Sequence, residues 1–451
     1  VNPSGLYIVT KNQFLLQRLT EFVTYKYNFY TGELVIYLDR ANIIQGMKRL
    51  QAYKYELMPN GDQLRAMRRF SGSCRFVYNK ALALQKENHE ASNKFIGYVA
   101  MAAKLPVWKR QAETAWLKET PSQALQHALK DLEKAFKSFF DKRTGFPRFK
   151  KKGSGDSFRY PEPKQIKLDQ SNNRILLPKL GWLRYRNSRE ALGQVRNVTV
   201  TQSGGKWFIS IQTQRELEQP LPTSTTAIGI DVGIARFATL SDGNYVAPLN
   251  SFKMHQQRLA RYQRRMSRKQ KFSNNWKKGK TKVQKIHTAI ANARKDFLHK
   301  TSTTISQNHA LVCIEDLQVK NMSRSSKGNR EQHGKKVAQK SGLNRSILDQ
   351  GWGEFRRQLN YKVQWSGGIF LAVPPQQTSQ TCPACGHVSK ENRQTQAKFL
   401  CVACGYENHA DVVGALNILE RGYRLLARGE SVQSGRSMKQ EPTEVTQAAF
   451  A

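Results

Sequence analysis

The sequence predicts a multidomain α/β protein, on three observations. Its 451 residues are enough for two or three domains with their own cores. The hydrophobic period changes along the chain, from helical spacing at Leu125, Leu129, Leu132, Phe136 and Phe139 to strict alternation at Val198, Val200, Trp207, Ile209 and Ile211. Two Cys-x-x-Cys pairs then lie between further apolar strands and helices.

Taken in order, residues 1–46 stand apart. They carry four basic and three acidic side chains and no methionine, so nearly all the basic excess lies beyond them. We expect them to be an atypical extension, with the working protein starting at Met47; a short accessory strand at Glu33–Leu38 is the alternative. From Met47 an alternating stretch predicts a strand ending at Pro59-Asn60-Gly61. Helical patterns follow, the clearest with Thr120 as N-cap and Pro121 as its first residue. Lys130, Lys134 and Lys137 fall on its polar side, a face for a nucleic-acid backbone or simply a solvated one. Residues 144–222 read as β structure, with a hairpin at Ser203-Gly204-Gly205 and a boundary at Pro220 and Pro222.

Charge narrows the function. Lys and Arg number 74 against 33 Asp and Glu, a formal net charge of +41. Charge of one sign at this density repels itself and needs a polyanion, for which nucleic acid is the obvious choice. A ribosomal-type or histone-like binder satisfies that as well as an enzyme does. Between Phe252 and Lys300 the only acid is Asp296, and Phe272, Trp276 and His287 interleave with the cations, a pattern suited to a nucleic-acid backbone. No apolar run approaches membrane length, so no membrane partner is expected. The tail after about Gly429 is polar and expected to be disordered.

Cys382, Cys385, Cys401 and Cys404 form two pairs fifteen residues apart, each followed by a glycine, Gly386 and Gly405. Four thiolates at this spacing satisfy one tetrahedral structural Zn2+ with no open position; a redox dithiol is the lesser alternative. His387 and His409 are then not needed, Cys74 and Cys313 read as buried apolar residues, and a reducing cytoplasm is the expected compartment.

Three acids complete the pattern. Asp231 ends the apolar strand Ala227-Ile-Gly-Ile and precedes a second strand, Phe237–Leu240, as in the opening hairpin of ribonuclease-H-like nucleases. Glu315 ends the strand Leu311-Val-Cys-Ile, and Asp411 opens a helical segment after the cysteines. Each alone is also an ordinary turn, cap or surface acid. Phosphodiester cleavage needs an activated water and charge neutralisation on both oxygens, which two divalent ions roughly 4 Å apart provide. Carboxylate oxygens favour Mg2+ or Mn2+ there.

At these residues the sequence resembles the TnpB family, nucleases of small insertion sequences related to type V CRISPR effectors. The resemblance runs from Met47 to about Gly422 through AYKYELMPN, SCRFVYNKAL, ALQHALKDLEKAFKSFF, GFPRFKKK, LPKLGW, NVTV, GIDVGI, ARKDFLHK, IEDL, ILDQGWGEFRRQLNYK and SQTCPACG…CVACGYENHADVVGALNI. It implies an RNase H-like RuvC nuclease core with an inserted zinc ribbon, plus an N-terminal β-barrel wedge interrupted by a helical recognition domain. The wedge would take 47–64 and 143–222, recognition 65–142, RuvC 223–380 and 406–428, the ribbon 381–405 and a disordered tail 429–451. Asp231, Glu315 and Asp411 would be the catalytic acids, holding two Mg2+ (or Mn2+) ions. The partners implied are a guide RNA from the transposon end, one protein copy per RNA, and double-stranded target DNA, in a prokaryotic, nucleoid-associated setting. Gln126, Gln123 and Tyr98 would contact the motif beside the target. One departure is Val413, where many relatives carry Asn. The rival readings are a nuclease-inactive RNA-guided repressor, a DDE-type transposase and a basic zinc-ribbon protein. Retention of all three acids counts against the first and third; no two of the nine histidines are two apart, which counts against a His-x-His single-strand transposase, while a DDE-type enzyme would share the nuclease fold and stays open.

Overall fold

The computed structural model describes residues 47–218, 220–329 and 331–427, and the backbone of 18–20, 23–28 and 33–38. The expected disordered tail lies outside these. The three early segments, β1 (Arg18–Thr20), β2 (Val23–Asn28) and β3 (Glu33–Leu38), form one antiparallel sheet in that order. The chain divides into two compact units, 46–217 with 259–288, and 1–45 with 218–258 and 289–451.

The unit built on 46–217 begins with β4 (Met47–Met58) and the long helix α1 (Gly61–Glu90). Asn60 starts α1 through a capping box: its Oδ1 accepts from the Gln63 backbone N–H at 2.8 Å, and Gln63 Oε1 accepts from the Asn60 N–H at 3.1 Å. Helices α2 (Tyr98–Arg110) and α3 (Ser122–Phe140) follow. Helix α3 starts one residue later than the sequence predicts, with Pro121 at the N-cap. Thr120 is buried and spends its hydroxyl on Ser73 Oγ of α1 at 2.7 Å, a tertiary partner that outcompetes local capping. The apolar stripe behaves as expected: Leu125, Leu129, Leu132 and Phe136 are buried, while Lys130, Lys134 and Lys137 are exposed.

The remaining strands of this unit are β5 (Ser157–Tyr160), β6 (Lys167–Asp169), β7 (Arg174–Leu177), β8 (Gly181–Tyr185), β9 (Gln194–Ser203) and β10 (Lys206–Leu217). Gly204 and Gly205, at φ 58° and 85°, make the two-residue turn between β9 and β10, where a side chain would be strained. Together with β4 the strands form one sheet ordered β5-β9-β10-β4-β8-β7-β6. Its ends, β5 and β6, are not paired with each other among the described residues, so the ladder is a continuous sheet and not the closed barrel expected.

The second unit holds a five-stranded sheet ordered β13-β12-β11-β14-β15, from β11 (Ala227–Val232), β12 (Ala238–Leu240), β13 (Tyr245–Val246), β14 (Leu311–Glu315) and β15 (Ile369–Val373). Strands β11, β14 and β15 run parallel, and β12 and β13 are antiparallel. The basic stretch forms helices α4 (Ser251–Ser267) and α5 (Asn274–Asn308). The short α6 (Val319–Met322), α7 (Val337–Gln350) and α8 (Trp352–Trp365) follow. Strands β16 (Lys398–Leu400) and β17 (Glu407–His409) pair antiparallel, and α9 (Ala410–Ala427) packs on β11, β14 and β15. That packing is close because glycines permit it: a methyl group at Gly229 would collide with the Ala415 carbonyl, and one at Gly422 with Cys313 Sγ.

Candidate nuclease site and metal centre

Parallel pairing brings the first two acids together. Ile230 of β11 lies opposite Ile314 of β14, so the next residues, Asp231 and Glu315, emerge side by side at the C-terminal edge of the sheet. Asp411 sits in the first turn of α9, whose backbone reaches the same edge. A Cβ at Gly414 would come 2.8 Å from Asp231 Oδ2, so the glycine makes room for that carboxylate.

The three acids interact. Burial pushes the Asp231 carboxyl up to about 8, the negative charges of Glu315 and Asp411 add to the rise, and Arg393 opposes it. Glu315 is also raised by burial, against a hydrogen bond from Thr378 and the nearby Arg421. Three half-buried carboxylates at one sheet edge, two of which raise the third, are a donor set short of cations, and hard oxygens suit magnesium or manganese. Their oxygens do not all fall within 4.8 Å of one another; among the described residues only the four cysteines form such a group.

A pH effect follows. With no added divalent ion, burial and the neighbouring acids let folded Asp231 keep its proton to about pH 8, whereas an unfolded aspartate loses it near 3.8. Between these pH values the folded chain binds more protons than the unfolded one, so this group's stabilisation falls as pH rises. The slope is at most about 1.4 kcal/mol per pH unit. We expect Asp231→Asn to flatten the decline in urea-unfolding stability between pH 5 and 8, and added Mg2+ to do the same in wild type. Equal slopes for both proteins would contradict it.

Two groups at the site carry no local sequence signal. Arg393 Nη2 lies 3.4 Å from Asp411 Oδ1, and Thr378 Oγ1 donates to Glu315 Oε1 at 2.5 Å. Asp316, next to Glu315, is instead ion-paired with Arg356. Asp349, in the DQGWG segment, is a helix cap: it accepts from Ser251 Oγ at 3.0 Å and from the Phe252 and Lys253 N–H groups at the start of α4.

The four cysteines meet as their spacing predicts. Cys382 and Cys404 sulfurs are 3.7 Å apart, and Cys385 and Cys401 sulfurs 3.6 Å. A zinc ion bonded to four thiolates at about 2.3 Å sets its ligands roughly 3.8 Å apart, so the residues fit that ion. Both pairs use the same turn. The Gly386 and Gly405 N–H groups donate to the Cys382 and Cys401 carbonyls, with φ of 76° and 74°. Val413 is fully buried in the apolar cluster of Cys382, Phe399, Cys401 and Ala410, which gives it a packing role between ribbon and helix.

The residues proposed for the target-adjacent motif lie in the other unit. Gln126 is exposed on α3, Gln123 is half-buried there, and Tyr98, at the start of α2, is half-buried with Lys130 Nζ 5.1 Å from its ring centre. At the turn between α4 and α5, Phe272 is exposed and packs on Trp276 at 5.5 Å, flanked by Lys271 and Lys280.

Comparison with known proteins gives three family matches. Residues 200–326 match a family described as a probable transposase (OrfB of IS605), residues 352–418 a Cas12f1-like TNB domain, and residues 47–94 a helix-turn-helix domain. Here residues 47–94 hold β4 and the single long helix α1. Among curated proteins, the chain is 60% identical over 402 residues to "Putative RNA-guided DNA endonuclease InsQ" of Escherichia coli (strain K12), covering 89% of this chain and 100% of that one. A Streptomyces pristinaespiralis protein of the same description is 35% identical, over 90% and 98% of the two chains. Among solved structures, the protein of a Cas12f1–sgRNA–target DNA complex aligns at TM-score 0.31 and 15% identity, over 82% of this chain and 99% of that one. The mini-RNA-guided endonuclease CRISPR-Cas_phi3 aligns at 0.40 and 11%, over 86% and 94%. With 60% identity across the whole of one relative, and family segments matched at 200–326 and 352–418, this chain belongs to the TnpB family.

Proposed function

We propose that this protein is an RNA-guided DNA endonuclease that cuts double-stranded DNA beside a short motif, using one RuvC-type site formed by Asp231, Glu315 and Asp411. The observation that carries the reading is the convergence of these acids, from two parallel strands and a helix start, with Asp231 raised by burial and by its two neighbours. The names of its relatives support the same activity.

In this reading Asp231, Glu315 and Asp411 hold two Mg2+ or Mn2+ ions, which when bound supply nucleophile activation and charge neutralisation on the phosphate oxygens. Arg393 holds the Asp411 carboxylate and carries positive charge to the scissile phosphate. The Asp231 carboxylate must be ionised to serve as a ligand, so its raised value makes the proton compete with the cation, and ion binding strengthens as pH rises. The cysteine site holds one structural Zn2+. The guide is RNA from the transposon end, one protein copy per RNA, and the cationic α4–α5 region lies along a nucleic-acid backbone. Residues 47–64 and 143–222 act as the wedge and 65–142 as the recognition domain, with Tyr98, Gln123 and Gln126 facing the motif.

The test is plasmid cleavage in Mg2+ by protein co-expressed with RNA from its own locus, against a target with a randomised flank. We expect cutting confined to one flank motif and dependent on the RNA. RNA-dependent target binding without cutting would overturn the nuclease reading and favour a guided repressor.

A further inference from the structure

The segment 374–381, between β15 and the first zinc-ribbon cysteine, is fastened to α9 at three points. Asn417, buried, donates through Nδ2 to the Thr378 and Thr381 carbonyls, both at 2.7 Å. Arg421 Nη1, one turn further on, donates to the Pro374 carbonyl at 2.8 Å. The strap so formed presents Thr378 to the acids: the residue is 4% exposed and its hydroxyl donates to Glu315 Oε1 at 2.5 Å. A hydroxyl has one proton. The Pro375 carbonyl also lies near this oxygen, at 3.1 Å, but the carboxylate is the nearer and the charged acceptor, so the proton goes to Glu315.

Glu315 needs such a restraint. It stands on the last residue of β14, beyond which the chain leaves the sheet, and its side chain has more freedom than that of Asp231. Asp231 is confined by the α9 backbone at Gly414 and Asp411 is held by Arg393, whereas Glu315 is held by Thr378.

We propose that Thr378 is a positioning residue for Glu315, locking its carboxylate for divalent-ion binding, and that Asn417 sets Thr378 in place. The inference rests on the nuclease reading above. It gives the strap a task beyond joining sheet to ribbon: Asn417 on α9, seven positions after the start of the helix that carries Asp411, registers the third acid against the second. Outer partners of metal-binding carboxylates typically contribute roughly 10- to 100-fold in affinity or activity.

The experiment compares Thr378→Val, nearly the same shape without the hydroxyl, with Thr378→Ser, which keeps it, in the full-length protein bound to its RNA. Three readings are taken: single-turnover cleavage across a Mg2+ series, Mn2+ binding followed by electron paramagnetic resonance on the RNA-bound protein, and the melting temperature. We expect Thr378→Val to cut roughly 10- to 100-fold more slowly at limiting Mg2+, to recover in part at high Mg2+, and to bind Mn2+ more weakly. Thr378→Ser should restore both, with target affinity and melting temperature unchanged throughout. Wild-type Mn2+ affinity in Thr378→Val, with wild-type Mg2+ dependence, would overturn the proposal. So would a fall in melting temperature that Ser fails to rescue, which would make Thr378 a packing residue. If wild type itself binds Mn2+ but does not cut, the nuclease reading fails while the Thr378 proposal is still decided by the Mn2+ series.

Discussion

Replacing Asp231 with alanine is expected to lower target cleavage by about three orders of magnitude or more, with guide-RNA and target binding unchanged. Asp231 is the acid on which the others converge: it lies on the central strand β11, beside Glu315 of the next strand and under the α9 backbone. In the proposed site its loss removes an ion ligand, the carboxyl that burial and the charges of Glu315 and Asp411 act on together. Charge stabilisation by bound divalent ions supplies several kcal/mol, and each 1.36 kcal/mol is a factor of ten in rate. Two nearby acids serve as controls. Asp316→Ala breaks a partly exposed pair with Arg356 and is expected to leave cleavage within a few-fold. Asp349→Ala is expected to lower the melting temperature first, since it strips a buried cap from α4. Single-turnover cleavage, filter binding of the RNA complex and thermal melts together measure all three; an Asp231→Ala protein that cuts within tenfold of wild type would sink the assignment.

Loss of the cysteine-site metal should be the second large effect. The ribbon's own apolar core is small, built around Phe399, Ala410 and Val413 with Tyr406 beside them. Structural zinc contributes about 10–16 kcal/mol in small zinc-finger peptides, comparable with the roughly 5–15 kcal/mol stability of an ordinary domain. We expect Cys401→Ser, at a buried ligand position, to lose one equivalent of zinc and the fold of residues 381–405. Arg393 then leaves Asp411, and the strap ending at Cys382 loosens from Asn417. Cleavage should fall by about 100-fold or more. His387→Ala is expected to keep its zinc, because the four sulfurs already stand at tetrahedral spacing. Elemental analysis and thermal melts decide; a Cys401→Ser protein with full zinc and full activity would refute this account.

What the sequence determined by itself was whatever a short stretch of chain encodes. Two Cys-x-x-Cys pairs with following glycines specified the metal centre, because the tight turn and the sulfur spacing are local. Alternation specified β9 and β10, the glycine pair their turn, and the three- and four-residue spacing the buried face of α3. The acids could be singled out one by one as ends of apolar strands or starts of helices. The tertiary structure alone decided how they meet, since the pairing of β11 with β14 joins positions more than eighty residues apart. It also decided the partners no pattern announces: Arg393 on Asp411, Thr378 on Glu315, and Asp349 as the cap of α4. Thr120 shows the same limit, for a residue with a good local cap role was drawn to Ser73 instead. So was the grouping of residues 259–288 with 46–217, although sequence order places them inside the nuclease region. Local periodicity and turn chemistry act over a few residues and can be read along the chain, whereas a hydrogen bond between distant side chains exists only once burial has fixed both backbones.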